Sequence, residues 1–167
     1  VADDALLAVL PDPVTCFADA RYQQTQHLHV QRGGSVLFLD WFTSGRAARH
    51  ERWAFKRYES TTRVFINDRL SFWDATRLCD DDPARSLALR MGRFNVVGML
   101  LCLGPLVESV GNKSAEKAHA LPLSRRAELV WTAAPTPAGG ILVRFAATEV
   151  SLAQRLVQEL LEPCAAM

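Results

Sequence analysis

The segment Ser35–Thr43, SVLFLDWFT, constrains the fold more than any other part of the chain. As a strand it sends Val36, Phe38, Asp40 and Phe42 to one side and Leu37, Leu39 and Trp41 to the other, because side chains alternate along an extended backbone. Both faces are then apolar, so the strand must lie inside the molecule with something packed on each side. Asp40 breaks that pattern. A carboxylate on a buried face costs free energy unless it is paired, hydrogen-bonded or kept for chemistry, which makes Asp40 either a satisfied structural acid or part of a site.

The neighbouring sequence reads as more strands. Residues 5–10 form a short apolar segment stopped by Pro11 and Pro13. Residues 21–30 alternate, with Tyr22, Gln24, Gln26, Leu28 and Val30 on one face and Gln23, Thr25, His27 and His29 on the other. Residues 51–66 read as a long extended segment, or as two strands meeting at a bend of Ser60, Thr61 and Thr62. Asn67 and Asp68 then make a hairpin turn, and residues 69–77 return with Leu70, Phe72, Asp74 and Thr76 on one face. Residues 79–85, CDDDPAR, are an acidic loop.

The character of the chain changes after that loop. Residues 94–102 read as a buried strand, and Pro105 suits the first turn of a helix reaching Ala120. Residues 128–133 and 141–147 pair about the turn PTPAGG. Residues 151–161 place Leu152, Leu156, Val157 and Leu160 at helical spacing, with Thr148 or Ser151 as the cap. The expected fold class is mainly β with a small α+β C-terminal part and two α-helices. One domain spans 1–167, with a β-rich body over 1–80 and a strand, helix, strand, strand, helix portion over 90–165.

Composition narrows the function classes. Nineteen basic against eighteen acidic residues leave a net charge of +1, which gives no argument for nucleic acid or a membrane surface. The apolar share of 49% is high for one domain of 167 residues, and points to an obligate partner or to a missing piece of the fold. Cys16, Cys79, Cys102 and Cys164 lie far apart without a CxxC pair, so neither a zinc ribbon nor a disulfide framework is indicated. The apolar run at 96–107 is too short to span a bilayer, and no signal peptide is visible. A cytoplasmic location is expected. Val1 already lies in what reads as structure, so the native N-terminus is expected upstream.

Three sets of side chains could carry chemistry. Asp40, Glu51 and Asp74 fall in consecutive extended segments and could converge on an interior channel, where oxygen donors would suit a divalent ion. The competing reading is a structural acid at each position, held by Arg46, Arg52, Arg77 or backbone amides. His27 and His29 form an H-x-H pair able to seat zinc or nickel, although Gln23 and Thr25 on the same face favour a solvated surface. No nucleophile elbow, phosphate loop or dinucleotide fingerprint is present in the sequence, so no organic cofactor is expected.

Four blocks together resemble one family: LPDPV at 10–14, FADARYQQTQ at 17–26, LDWFTSGRAARHERWAF at 39–55 and RMGRFNVV at 90–97. The pattern D-W-x-x-x-G-R followed by E-x-W/F-x-F is the most specific part. The likeness is to the urease accessory protein UreD, also called UreH, and runs colinearly from Leu10 to Leu161. It implies a β-rich body with two helices and no enzymatic activity. It also implies a nickel-delivery scaffold that binds apo-urease and UreF, the latter recruiting the GTPase UreG, with nickel passing through an interior tunnel.

On this resemblance Asp40 and Asp74 are tunnel acids for nickel in transit, Glu51 is a weaker third, and Trp41, Gly45, Arg46 and Trp53 frame them. An N-terminal stretch that such chains carry, with a G-G-D segment, is absent from the sequence. The alternative is therefore a degenerate or truncated β-rich binding module without nickel transfer. A small metallohydrolase using the acids with His27 and His29 is a weaker third reading.

Overall fold

In the computed structural model the described residues are 1–81, 85–120, 124 and 126–162. Two sheets face each other. The larger, six-stranded sheet runs in the order β1 (Leu6–Val9), β4 (Ser35–Thr43), β7 (Val96–Leu103), β9 (Ile141–Ala147) and β8 (Leu129–Pro135), with the short β2 (Val14–Thr15) also pairing with β4. The smaller sheet is β3 (Arg21–Val30), β5 (Arg57–Ile66) and β6 (Arg69–Cys79).

The chain crosses from one sheet to the other and back, so strands separated by a full turn pair in parallel. Leu6 lies opposite Ser35 in β1 and β4, and Arg21 opposite Arg57 in β3 and β5. Later strands join antiparallel: β6 returns along β5, and β7 runs down β4 with Asp40 opposite Met99. The larger sheet therefore draws strands from early and late sequence alike.

Helices cover the outer side of this sheet. Pro105–Val107 form a 3-10 turn that leads into α2 (Glu108–His119), and α3 (Val150–Leu161) lies beside it. Leu37, Leu39 and Trp41 of β4, Leu100 of β7 and Val143 and Phe145 of β9 make a dry core with Val107, Val110, Leu156 and Leu160. Gly98 is required in that layer. A Cβ there would stand 2.5 Å from Cβ of Trp41 and 2.4 Å from the ring of Phe145.

The strands and both long helices agree with the pattern read from the sequence, and several details differ. Residues 51–56 are irregular rather than extended, and β5 begins at Arg57 and passes through Ser60, Thr61 and Thr62 without a bend. A bulge opposite Val64 and Phe65 inserts Ser71, so Leu70 pairs with Phe65 on the outer face while Phe72 and Asp74 face inward. Leu70 is 46% exposed. A short third helix, α1 (Leu87–Met91), is started by the Ser86 side chain accepting from the Leu89 amide, and Gly92 ends it at φ 56°. The residue before α3 is Glu149, and neither Thr148 nor Ser151 caps it. Residues 82–84 of the acidic loop and Cys164 lie outside the described residues.

Candidate functional site

The space between the two sheets is layered. At one end Val36, Phe38, Met99 and Leu101 meet Leu28, Val64 and Phe72; at the other Phe42 meets Tyr58, Trp53 and Phe55. Between these apolar ends lies a polar layer. Its residues are Gln24 and Gln26 of β3, Ser60 and Thr62 of β5, Asp74 and Thr76 of β6, and Asp40 of β4, all on inward positions by register.

Asp40 is held by neutral donors from the opposite sheet. Ser60 Oγ donates to its Oδ2 at 2.6 Å and Gln24 Nε2 to its Oδ1 at 2.9 Å, while Tyr22 Oη donates to Gln24 Oε1 at 2.8 Å. Burial pushes the Asp40 carboxyl above the ordinary aspartate range; the Ser60 and Gln24 bonds pull it back, and the Asp74 charge adds a smaller push upward. Neither an arginine nor a backbone amide is among these donors, so its charge is solvated but not cancelled.

Two further hydroxyls of the layer are fully buried. Tyr58 Oη lies beside Ser60, whereas Thr62 Oγ1 has no hydrogen-bond partner, and Tyr58 and Thr62 are 0% and 1% exposed. The Ser60 proton that could reach Tyr58 is committed to Asp40. Burial, and the nearby Asp40 charge, push the Tyr58 phenol well above its usual value, so it stays protonated and available as a donor. An unpaired buried hydroxyl costs roughly 1–3 kcal/mol, which a water or a hydrated ion would recover.

Asp74 reaches the same layer from β6. Its Oδ1 is bridged by Arg144 Nη2 of β9, a contact that joins the two sheets. The Asp74 side chain is 12% exposed and that of Arg144 59%. Asp40, Tyr58, Asp74, Thr76, Met99, Thr132 and Arg144 are among the residues lining one half-open cavity of about 410 Å³, wide enough for several waters. It opens where the smaller sheet ends at β6 and leaves the inner side of β8 and β9 uncovered.

Glu51 is not brought to this cavity. It lies in the irregular segment after β4, where Arg46 grips both its oxygens and its Oε2 accepts from the Ala18 amide at 3.1 Å. The Arg46 bond holds its carboxyl below the usual range. Gly45 sits alongside at φ 126°, where a Cβ would be 2.1 Å from the Glu51 carbonyl oxygen. Trp53 Nε1 donates to the Phe94 carbonyl at 3.1 Å and Trp41 Nε1 to that of Pro11 at 2.8 Å. Arg46, Glu51 and Trp53 thus tie together the turn after β4, and Trp41 ties β4 to the segment after β1.

Of the arginines expected to hold acids, Arg46 does so. Arg52 instead binds Asn95 Oδ1 and two carbonyls, and Arg77 pairs with Glu59. His27 and His29 project from the outer face of the smaller sheet. Phe65 lies against both rings, stacked on His29 at 4.8 Å and edge-on to His27 at 5.7 Å, and His29 also approaches Asp68 at 3.7 Å.

Sequence reading missed Ser60, Thr62, Tyr58 and Arg144. A signal existed for the first two, since Gln24 and Gln26 share the face of Leu28 and Val30 and so announce polar company inside. Nothing local announces Arg144, whose partner is seventy residues away.

Comparison with known proteins gives one consistent result. The family model described as UreD urease accessory protein matches residues 1–166. A urease accessory protein UreD of Sorangium cellulosum is 46% identical over 87% of this chain and 45% of its own length. One from an Anaeromyxobacter species is 39% identical over 90% of the chain and 50% of its own, and a urease accessory protein D of Oryza sativa 37% over 84% and 44%. The chain spans about half the length of these relatives.

Proposed function

The chain belongs to the UreD family of urease accessory proteins, and from that premise we propose that it acts in urease maturation, as a scaffold that helps pass nickel to apo-urease together with UreF and the GTPase UreG. It turns over no substrate of its own, and it works in the cytoplasm. Nickel is its cargo.

The observation that carries this reading is the presence of Asp40 and Asp74, from opposite sheets, in one cavity whose other walls are largely apolar. A path for a divalent ion has to offset part of the ion's dehydration without trapping it. Carboxylate and hydroxyl oxygens are weaker ligands for nickel than imidazole or thiolate, so they suit passage better than storage. Asp40 supplies an uncancelled charge, and Thr76 and Thr132, which line the cavity, supply hydroxyls that can hold the ion's waters. Glu51, engaged by Arg46 elsewhere, takes a structural part.

The test is a reconstituted activation assay with apo-urease, UreF, UreG and nickel, reading the nickel content of urease. Asp40→Ala and Asp74→Ala are expected to lower that content severalfold while gel filtration shows the complex intact. Full loading by both variants would remove these acids from the path. The second reading, a binding module that assembles but moves no ion, is favoured by the Arg144 bridge that already neutralises Asp74. Intact assembly with unchanged nickel content would support it.

A further inference from the structure

We infer that Arg144 determines which ions the cavity admits: its guanidinium is a tethered cation that holds the Asp74 carboxylate until a divalent ion displaces it. The inference rests on the reading of the cavity as a cation path.

The two acids are unequal in a way that defines the role. Asp40 receives neutral donors, Gln24 at 2.9 Å and Ser60 at 2.6 Å, and keeps its charge. Asp74 has its charge matched by Arg144. An entering cation therefore meets one free carboxylate and one that is occupied. Register puts Met99 of β7 between Asp40 and Arg144 across the larger sheet, so the guanidinium stands to one side of Asp40 and bridges over to β6.

Exposure gives the guanidinium somewhere to go. Asp74 is fixed inside at 12%, whereas the Arg144 side chain, at 59%, lies at the mouth on a flexible stem that can swing into water. The independent sign is a buried hydroxyl next to the bridge, Thr62 Oγ1, which has no hydrogen-bond partner. Tyr58 lines the cavity, and Thr62 lies directly opposite Asp74 on β5.

Charge then sorts the ions. A sodium or potassium ion carries the same charge as the guanidinium and lacks its directed hydrogen bonds, so it gains nothing by exchange. A divalent ion attracts both carboxylates and repels the guanidinium, and each effect favours opening. The apparent affinity of the open site falls in proportion to the fraction of time Arg144 is in place.

Nickel titration of the intact protein by calorimetry, in potassium chloride buffer, tests this, with cobalt absorption reporting the ligand set. If the bridge is closed about nine-tenths of the time, Arg144→Gln binds nickel roughly tenfold more tightly. Arg144→Lys, which keeps the cation, stays near the wild type. In an Asp74→Asn background the gain from Arg144→Gln shrinks below roughly twofold, because there is no carboxylate left to release. A gain of equal size in that background would mean long-range repulsion and overturn the displacement. Unchanged affinity in Arg144→Gln, with Asp40→Asn still weakening binding, overturns the Arg144 role and leaves the cation path standing. No nickel bound by either wild type or Arg144→Gln overturns both. Arg144→Met, with a stem of similar length, replaces the glutamine variant if thermal melting shows the latter unfolded.

Discussion

On the outer side of β4, Leu37, Leu39 and Trp41 enter a core closed by α2 and α3; on the inner side, one residue along, Asp40 enters a layer of glutamine, serine, threonine and a second aspartate. The two environments share one backbone and one set of strand hydrogen bonds. They differ in what covers them. The helices supply apolar side chains that pack on the strands, whereas the smaller sheet stops at β6 and leaves polar groups and a cavity. Apolar packing is continuous on the outer side, whereas on the inner side the polar layer and its cavity interrupt two apolar cores.

Mutations on the two sides should therefore differ in sign. Leu100, fully buried on the outer face, should cost about 3 kcal/mol when changed to alanine, read as a lower urea midpoint with an unchanged slope. A loss below about 1 kcal/mol would mean that the helix-covered core is not closely packed at Leu100. On the inner side, Thr62→Val removes an unpaired hydroxyl at constant shape and should stabilise by about 1 kcal/mol in thermal melts. A clear destabilisation would instead show that this hydroxyl is bonded in solution and that the polar layer is structural.

The two half-buried acids extend the contrast to pH. Burial raises the Asp40 carboxyl, so the folded protein binds that proton more readily than the unfolded chain, and stability falls as pH rises through a window opening at about pH 4. Asp40→Asn should remove that part of the profile in urea melts run between about pH 4 and pH 7, and an identical slope in both proteins would contradict it. Glu51, held below its usual range by Arg46, behaves oppositely: its contribution is present at neutral pH and lost as pH falls through its folded value. Glu51→Gln should give the smallest effect, a slight fall in midpoint at pH 7 that vanishes in acid.

The strands were legible because their alternation is local. The apolar faces of β4, the polar and apolar faces of β3 and the Asn67-Asp68 turn each depend on a few adjacent residues. What was not legible depends on distance or on one inserted residue. The Ser71 bulge turns Leu70 outward without any change in apolar pattern, and Gly45 and Trp53, both at positive φ, fold residues 51–56 into a loop that carries Glu51 away from Asp40. The pairing of Asp40 with Asp74 needs the crossing between sheets, and the Arg144 bridge needs the late strand β9. The family resemblance implied a β-rich body with two helices and put Asp40 and Asp74 on one path, but gave neither the two sheets nor the Arg144 bridge.

The placement of β4 between β1 and β7 bears on how the chain is made. While it is being synthesised, SVLFLDWFT leaves the ribosome well before β7, which follows only after the whole β5–β6 hairpin. Until then its outer face has no helix above it, and the edge that β7 will occupy is open to any other extended chain. Asp40 is the one charge in those nine residues, and like charges there hinder two such strands from stacking.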